Sequence, residues 1–399
     1  MKLRSVMRET VATLPVFDTH THLVGGRLLA RDFWEIGEYF WLRQELAAAG
    51  YPAHAEQLPE AERFAAYARA LDATRNTAMA WCLRRLFRDL YDLDLEGVEG
   101  LQAADEAVRA YSESPDQPRR IAQRAGVDIA VTNVEADQPF AELPHLARCV
   151  PRLEGVLRKA VDRLVAALDR AAAGEAVRDD LDALLASYAA KGYPGVMTSE
   201  SPFGRLRRAV PLDPPRLGAS ADTDDLHHFV LHALCASAER HGLFVQFFLG
   251  MESEWPGGVV PVSFGDRIAQ RHGLFRRYAG PFDLVQADGG ANLDVVQAAH
   301  VFPNVRPGGL WWYNFRPSTY RATLAMRIEA IPPRQCSLVA SDARCLEWCY
   351  AKIALVKVLL ADFLAKQVDA EWLSFDDALW VAQEWLHDSP ARLHAGPSA

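Results

Sequence analysis

Residues 14–23 read LPVFDTHTHL, a short apolar run that ends in polar residues. This pattern is typical of a buried parallel strand that reaches the rim of its sheet. Alternate residues of a strand point to the same side, so His20 and His22 are expected to project together. Two neutral imidazoles at this spacing are suited to bind one metal ion. The alternative is that both histidines are only polar residues of the sheet rim.

Seven further runs have the length and composition of buried strands. They cover residues 127–133, 146–153, 194–201, 243–250, 282–290, 304–315 and 336–344. Helical stretches separate most of them, and this alternation is typical of a parallel α/β sheet. Eight repeats without a glycine-rich dinucleotide turn favour a closed (β/α)8 TIM barrel over an open doubly wound sheet.

A long helical region follows the first strand, from Arg31 to about Asp116, beginning with DFWEIGEYFWLRQELAAAG at residues 32–50. We interpret residues 31–116 as an insertion within a single domain of residues 1–399. A barrel core needs about 250 residues, so the insertion and the C-terminal helices account for the remainder. Because the insertion leaves the end of a strand, we expect it to pack over the barrel mouth.

Charge and cysteine content restrict the classes of partner. Lys and Arg total 43 against 52 Asp and Glu, a net charge of −9, which provides no basic field for nucleic acid. The six cysteines form no C-x-x-C pair, which favours a reducing compartment. No uncharged apolar run approaches the ~18 residues of a membrane span. We therefore expect a cytoplasmic protein with no nucleic-acid or membrane partner, and leave a homo-oligomer open.

Asp342 ends the last predicted strand, in LVASDAR. In a closed barrel the first and eighth strands are neighbours, so this carboxylate can reach a metal ion held by His20 and His22, or the water on it. The alternative, an N-cap of the following helix, is compatible with the same position.

Taken together, FDTHTHL, the helical stretch at 32–50, WWYNF at 311–315 and VASDAR at 339–344 resemble the amidohydrolase superfamily. They are most similar to its uronate isomerase branch, and the C-terminal run through FDDALWVAQEWLHDSPARLH is similar to amidohydrolase-2 proteins. The resemblance covers most of the chain in order. It implies that His20 and His22 bind one divalent metal ion, for which we expect zinc, with Asp342 as the third ligand or the base beside it.

The same resemblance implies roles for Tyr39, on the insertion, and Arg344, which follows the strand-end aspartate. A tyrosine hydroxyl can polarise or protonate a substrate oxygen, and an arginine can bind a sugar-acid carboxylate in a bidentate manner. We therefore expect Asp342, Arg344 and Tyr39 to be the catalytic residues. The expected partner is a small molecule, such as a sugar acid or another carboxylate.

The chain also departs from the family pattern at three strand positions. Met197, Phe248 and Gln286 stand where family members often carry Lys, His and His. A bridging carboxylated lysine cannot form at Met197, and a phenyl ring offers no ligand atom. We therefore expect one metal ion and not two.

Three acidic residues at or just past strand ends, Glu200, Glu252 and Asp288, could replace the missing ligands. The alternative is that they are solvated or cap helices. The arginine and asparagine residues of the isomerase branch are replaced by Glu252-Ser253-Glu254, which lowers the expectation of isomerase activity.

Three functions are compatible with these features. The first is hydrolysis of a small polar carboxylated substrate by a metal-activated water, with Asp342 taking the proton. The second is aldose–ketose isomerisation like that of the uronate isomerases. Decarboxylation, which also occurs in the superfamily, is a further variant of the enzymatic functions. The third is a degenerate barrel that binds without turnover, suggested by Met197, Phe248 and Gln286.

Overall fold

The computed structural model describes residues 2–134, 140–199, 206–218, 220–255, 258–261 and 268–396. Its strands are β1 Val16–Thr21, β2 Val127–Thr132, β3 Ala147–Cys149, β4 Gly195–Ser199, β5 Phe244–Leu249, β6 Met251–Trp255, β7 Gly258–Pro261, β8 Phe282–Gln286 and β9 Val305–Pro307. Its α-helices are α1 Lys2–Thr13, α2 Phe33–Gly37, α3 Phe40–Ala48, α4 Glu60–Ala73, α5 Ala78–Tyr91, α6 Gly97–Ser112, α7 Gln117–Ala125, α8 Glu154–Ala166, α9 Arg170–Ala190, α10 Thr223–Arg240, α11 His272–Arg277, α12 Asn292–Val301, α13 Pro317–Ala330, α14 Leu346–Asp369, α15 Phe375–Gln383 and α16 Ser389–His394. The predicted alternation of strands and helices is confirmed.

The strands form two parallel sheets, ordered β1-β2-β3 and β4-β5-β8-β9. All six residues of β1 and all six of β5 are buried, as expected for parallel strands that are covered on both faces. The antiparallel pair β6-β7 was not predicted. It follows directly on β5 and lies outside the two parallel sheets.

Hydrogen bonds outside the regular strands connect the two sheets. The N–H of Met197 donates to Pro151 O at 2.9 Å, which joins the end of the first sheet to β4. At the other edge, Leu310 N donates to Leu338 O at 3.0 Å and Thr19 N donates to Val339 O at 2.9 Å. The segment 338–343 therefore lies between Leu310 and β1. The strands and this segment follow one another in chain order, as they do in a (β/α)8 fold.

The predicted strand 336–344 is only partly correct. It forms a single parallel bridge, between Leu310 and Val339, and the backbone then turns at Asp342, where φ is 56°. A positive φ breaks the extended conformation, so regular pairing cannot continue through Asp342.

The helical region 31–116 packs against α14, and its Tyr39 contacts the backbone of Asp342 beside the end of β1. Its first predicted helical stretch forms two helices, α2 and α3, because Tyr39 leaves the helical region with φ −53° and ψ 133°. The indole N–H of Trp348, on α14, donates to Ile36 O at 3.0 Å. Buried apolar residues of the insertion, the sheets and α14 belong to one core.

No described helix combines the length and the apolar composition that crossing a bilayer requires.

Candidate metal centre

A bulge in β1 lies at the position of His20. Between the residues Asp18 and Thr21, β1 contains one residue more than the facing part of β2. Such bulges are frequent beside active sites, where they redirect a side chain. Thr19 donates its backbone N–H and its hydroxyl to Val339 O, at 2.9 and 2.7 Å, and so fixes β1 against the segment 338–343.

Asp342 lies in the left-handed region, which non-glycine residues adopt infrequently and Asp more readily than most. Its N–H donates to His20 O at 2.9 Å, and His22 N–H donates to Ala343 O at 2.8 Å. This pairing brings the Asp342 side chain to the two imidazoles. Asp342 Oδ1 lies 3.3 Å from Nε2 of His20 and 2.8 Å from Nε2 of His22. The structure thus shows the predicted convergence of the three side chains.

The three side chains differ in exposure. The His20 side chain is 2% exposed and that of Asp342 9%, whereas that of His22 is 34% exposed and lies at the opening of the site. Asp342 Oδ1 is buried, and its two nearest described polar neighbours at this point are the two imidazole nitrogens.

Two nitrogens and one carboxylate oxygen within 4.8 Å of one another suit a divalent cation. In the described part of the chain, this is the one cluster of three or more His, Cys, Asp or Glu residues with such spacing.

The protonation states also fit a cation. Burial lowers the pKa of His20 to about 4, so its imidazole is neutral at pH 7. Burial acts to raise the pKa of Asp342, but the two imidazoles outweigh it and hold this pKa below its usual range. Neutral imidazole and ionised carboxylate are the forms that bind metals.

Aromatic rings cover the other side of His20. The Phe248 ring lies 4.4 Å from the His20 ring and the Trp311 ring 6.2 Å, measured between centroids. Phe248 and Trp311 also contact each other at 4.8 Å, edge to face. Met197 is buried in β4 and Gln286 in β8. Among the described His, Cys, Asp and Glu residues, none on β4, β5 or β8 belongs to the cluster.

Solved structures resemble the chain over almost its whole length. A uronate isomerase from Thermotoga maritima matches with a TM-score of 0.80 and 15% identity, over 98% of this chain and 97% of its own. One from Bacillus halodurans C-125 matches with a TM-score of 0.76 and 18% identity, over 98% and 96%. The chain has the uronate isomerase fold. A protein from Lactobacillus casei ATCC 334 described as a metal-dependent hydrolase shares it, with a TM-score of 0.63 and 15% identity, over 97% of each chain.

No family model and no curated protein matches the sequence. At these identities the likeness concerns the fold. It agrees with the resemblance inferred from FDTHTHL, WWYNF and VASDAR, and it confirms the predicted fold class.

Tyr39 lies beside the site in this fold, and its hydroxyl has two partners within the protein. The hydroxyl donates to the backbone oxygen of Asp342 at 2.8 Å and accepts from Nζ of Lys352 at 2.7 Å. Its one proton is therefore used inside the protein, and burial raises its pKa well above the usual value. The structure shows a contact of Tyr39 with the backbone of Asp342, and its expected contact with a substrate oxygen stays a prediction.

Arg344 is exposed, two residues beyond Asp342. Its charge acts on Tyr39, which places it near the site, and it has no hydrogen bond or ion pair with another described residue. The guanidinium is thus available to an external anion.

Of the three acidic residues considered as replacement ligands, only Asp288 has a described side chain. Asp288 accepts from the N–H groups of Gly290 and Ala291, at 2.9 and 3.1 Å, and so caps the turn before α12. Its carboxylate is used as a cap and it is not part of the cluster. Glu200 and the side chain of Glu252 lie outside the described residues.

Lys352, on α14, is the residue near the site that the sequence analysis missed. It is fully buried, and Nζ contacts the Tyr39 hydroxyl and the backbone oxygen of Ser341. A signal was present, because this lysine interrupts the apolar run CYAKIALV at residues 349–356. Lysine is almost never fully buried without partners, so a lysine inside such a run indicates acceptors nearby.

Proposed function

We propose that the protein is a metal-dependent enzyme that hydrolyses a small polar substrate carrying a carboxylate. The observation that supports this most is the convergence of His20, His22 and Asp342, whose imidazole nitrogens lie close to one buried carboxylate oxygen. The proposed cation is a single divalent ion, zinc, because three nitrogen and oxygen ligands leave one coordination position for a water or a substrate.

A divalent ion held by these residues would supply Lewis-acid polarisation and a water of lowered pKa. Asp342 remains ionised at neutral pH, so its carboxylate can accept a proton from the nucleophilic water. His20 stays neutral and buried, and therefore does not compete for that proton. Phe248 and Trp311 exclude water from the side of His20 that faces β5.

Arg344 is the proposed substrate-binding residue. An exposed guanidinium close to the catalytic carboxylate can form two parallel hydrogen bonds with a substrate carboxylate. Because Asp342 is only two residues before Arg344, the bound substrate would be held at a fixed distance from the Asp342 carboxylate. This arrangement supports a carboxylated small molecule as the substrate class.

Uronate isomerisation is the second candidate. The fold shared with uronate isomerases over nearly the whole chain favours it, as does the Arg344 that follows Asp342. Glu252-Ser253-Glu254, in place of the arginine and asparagine residues of that branch, favours hydrolysis.

The chemistry of the cysteines supports a reducing compartment, for which we propose the cytoplasm. All six are buried and none is in a disulfide.

Two measurements test the proposed function. Protein stripped by a chelator is first titrated with zinc and with manganese, and one ion per chain is expected. The loaded protein is then incubated with carboxylated amides, esters and lactones, and separately with uronic acids, and the products are identified by NMR. Hydrolysis products support the first candidate and ketouronates the second. Failure to bind either metal contradicts both and favours a barrel that binds without turnover.

A further inference from the structure

Four consecutive backbone groups around the proposed third ligand are held by hydrogen bonds. Ser341 N–H donates to Oδ1 of Asp18 at 2.9 Å, and Ser341 O accepts from Lys352 Nζ. Asp342 N–H donates to His20 O at 2.9 Å, and Asp342 O accepts from the Tyr39 hydroxyl at 2.8 Å. The donors and acceptors come from β1, the insertion and α14. Three distant parts of the chain therefore fix one dipeptide.

Lys352 determines the direction of the Tyr39 hydroxyl. A lysine ammonium can only donate, so at the 2.7 Å contact the tyrosine oxygen must accept. The single hydroxyl proton is then directed to the other neighbour, Asp342 O. Replacing the ammonium would leave this hydroxyl free to rotate.

The surroundings of Lys352 show that its position is specific. Nζ lies 3.9 Å from the ring centroid of Trp41 and 4.6 Å from that of Tyr39. Aromatic faces attract a cation, and with two oxygen acceptors they offset part of the cost of burying the ammonium. A neutral side chain of equal length would lose all of these attractions.

Asp342 needs such restraint because its backbone conformation is intrinsically unfavourable. Relaxation to a negative φ would rotate the carboxylate away from His20 and His22. The hydrogen bond from Tyr39 to Asp342 O opposes this rotation directly, and the one from Lys352 to Ser341 O opposes it at the preceding peptide.

We propose that Lys352 and Tyr39 are positioning residues that hold Asp342 in its left-handed conformation, so that its carboxylate completes the metal site. This inference rests on the metal site of the proposed function. In this role both residues act through the backbone at Ser341 and Asp342.

The test compares three variants as metal-free proteins. Tyr39→Phe removes one hydroxyl, and Lys352→Met removes the ammonium. Lys357→Met is the matched control: Lys357 is also buried on α14, but its Nζ donates to Ala12 O and Leu14 O, away from Asp342. Zinc affinity is measured by calorimetric titration, and the geometry of the site by the visible spectrum of bound cobalt(II).

We expect zinc affinity to fall about 10- to 100-fold in Tyr39→Phe and Lys352→Met, the range found when residues supporting metal ligands are removed. The cobalt spectrum should change in both. Lys357→Met should lose stability but keep the wild-type affinity and spectrum, since its hydrogen bonds do not reach the site.

Wild-type zinc affinity and cobalt spectrum in Tyr39→Phe would overturn the inference. An equal loss of zinc affinity in Lys357→Met would also overturn it, because it would indicate a general loosening of α14. If Lys352→Met does not fold, Tyr39→Phe decides the question. Absence of metal binding by the wild-type protein contradicts the proposed function itself. Wild-type binding with an unaffected Tyr39→Phe contradicts only the positioning role.

Discussion

The two sides of the site share a backbone architecture and differ in chemistry. The ligand side consists of β1 and residues 338–343, and the far side consists of β4, β5 and β8. On the ligand side a bulge and a left-handed aspartate direct three ligand atoms to one point. On the far side the strands pair in regular register and place the Phe248 ring against His20.

The difference shows that the fold does not by itself supply a complete set of ligands. Each strand end of a parallel barrel can carry a ligand or a packing residue, because the strand is held by its own backbone hydrogen bonds. Regular pairing suffices where a residue only packs. The irregular backbone occurs where a side chain must meet partners from another strand.

The largest expected effect follows from Asp342→Asn on the ligand side. The substitution conserves volume and tolerates the left-handed conformation, but removes the negative charge and the acceptor of the proton. Turnover should fall about 10²- to 10⁴-fold and zinc affinity should decrease, while the thermal midpoint of the metal-free protein changes little. The exposed Asp369→Asn is the control. Full activity would show that another group handles the proton, with Glu200 the next candidate.

On the far side, Phe248→Ala should affect stability. Phe248 is 1% exposed, and truncating a buried phenylalanine typically lowers the free energy of unfolding by about 3–5 kcal/mol. The metal stoichiometry should remain one, because no ligand is created. Phe247→Ala, at an equally buried neighbour that stacks on Phe282, should cost a similar amount. A second bound ion in Phe248→Ala would show that the phenyl ring alone had excluded it.

His394 should make the stability of the protein depend on pH independently of the metal site. It is buried between Phe17 of β1 and Phe244 of β5, at 4.7 and 4.8 Å, and burial lowers its pKa to about 3. An unfolded chain would protonate this histidine near pH 6.5, so the unfolded state binds more protons between pH 6.5 and 3. Stability therefore falls with decreasing pH in this window, by about 1.4 kcal/mol per pH unit.

His394→Phe should remove this contribution, about 2 kcal/mol between pH 6.5 and 5. Urea denaturation at the two pH values measures it. Acid sensitivity from His20, whose pKa is also lowered by burial, should remain. An unchanged pH dependence in His394→Phe would show that this histidine is protonated in the folded protein.

The smallest effect is expected for Arg344→Met. Arg344 is exposed, so the free energy of unfolding should change by less than about 0.5 kcal/mol. The KM of a carboxylated substrate should rise roughly tenfold, with kcat nearly constant, because a binding contact is removed. The exposed Arg276→Met serves as control. A fall in kcat with constant KM would assign Arg344 to the reaction step.

Much of the fold was predictable because the signals are local. The runs 127–133, 194–201 and 243–250 became β2, β4 and β5, since short apolar segments between helices bury both faces of a parallel sheet. The insertion was recognised as helical from its periodicity, but the break at Tyr39 was not. Nothing in the spacing distinguishes a helix through residues 32–50 from two helices, and the break is coupled to the contact of Tyr39 with Asp342.

The candidate site divides in the same way. His20 and His22 are two residues apart, so their common direction is a property of a strand and follows from the sequence alone. Asp342 was predicted to join them only through the assumption that the first and eighth strands are neighbours. The bulge in β1 and the positive φ of Asp342 had no sequence pattern of their own, and Lys352 was marked only by its place inside the apolar run at residues 349–356.

The sequence by itself determined the alternation of strands and helices and the pairing of the two histidines. The tertiary structure decided which atoms meet. The hydroxyl of Tyr39 and the backbone oxygen of Asp342 are 303 residues apart in the chain and 2.8 Å apart in space. Periodicity reports the environment of each residue within a few positions, whereas such a contact exists only after β1, the insertion and α14 have packed around one core.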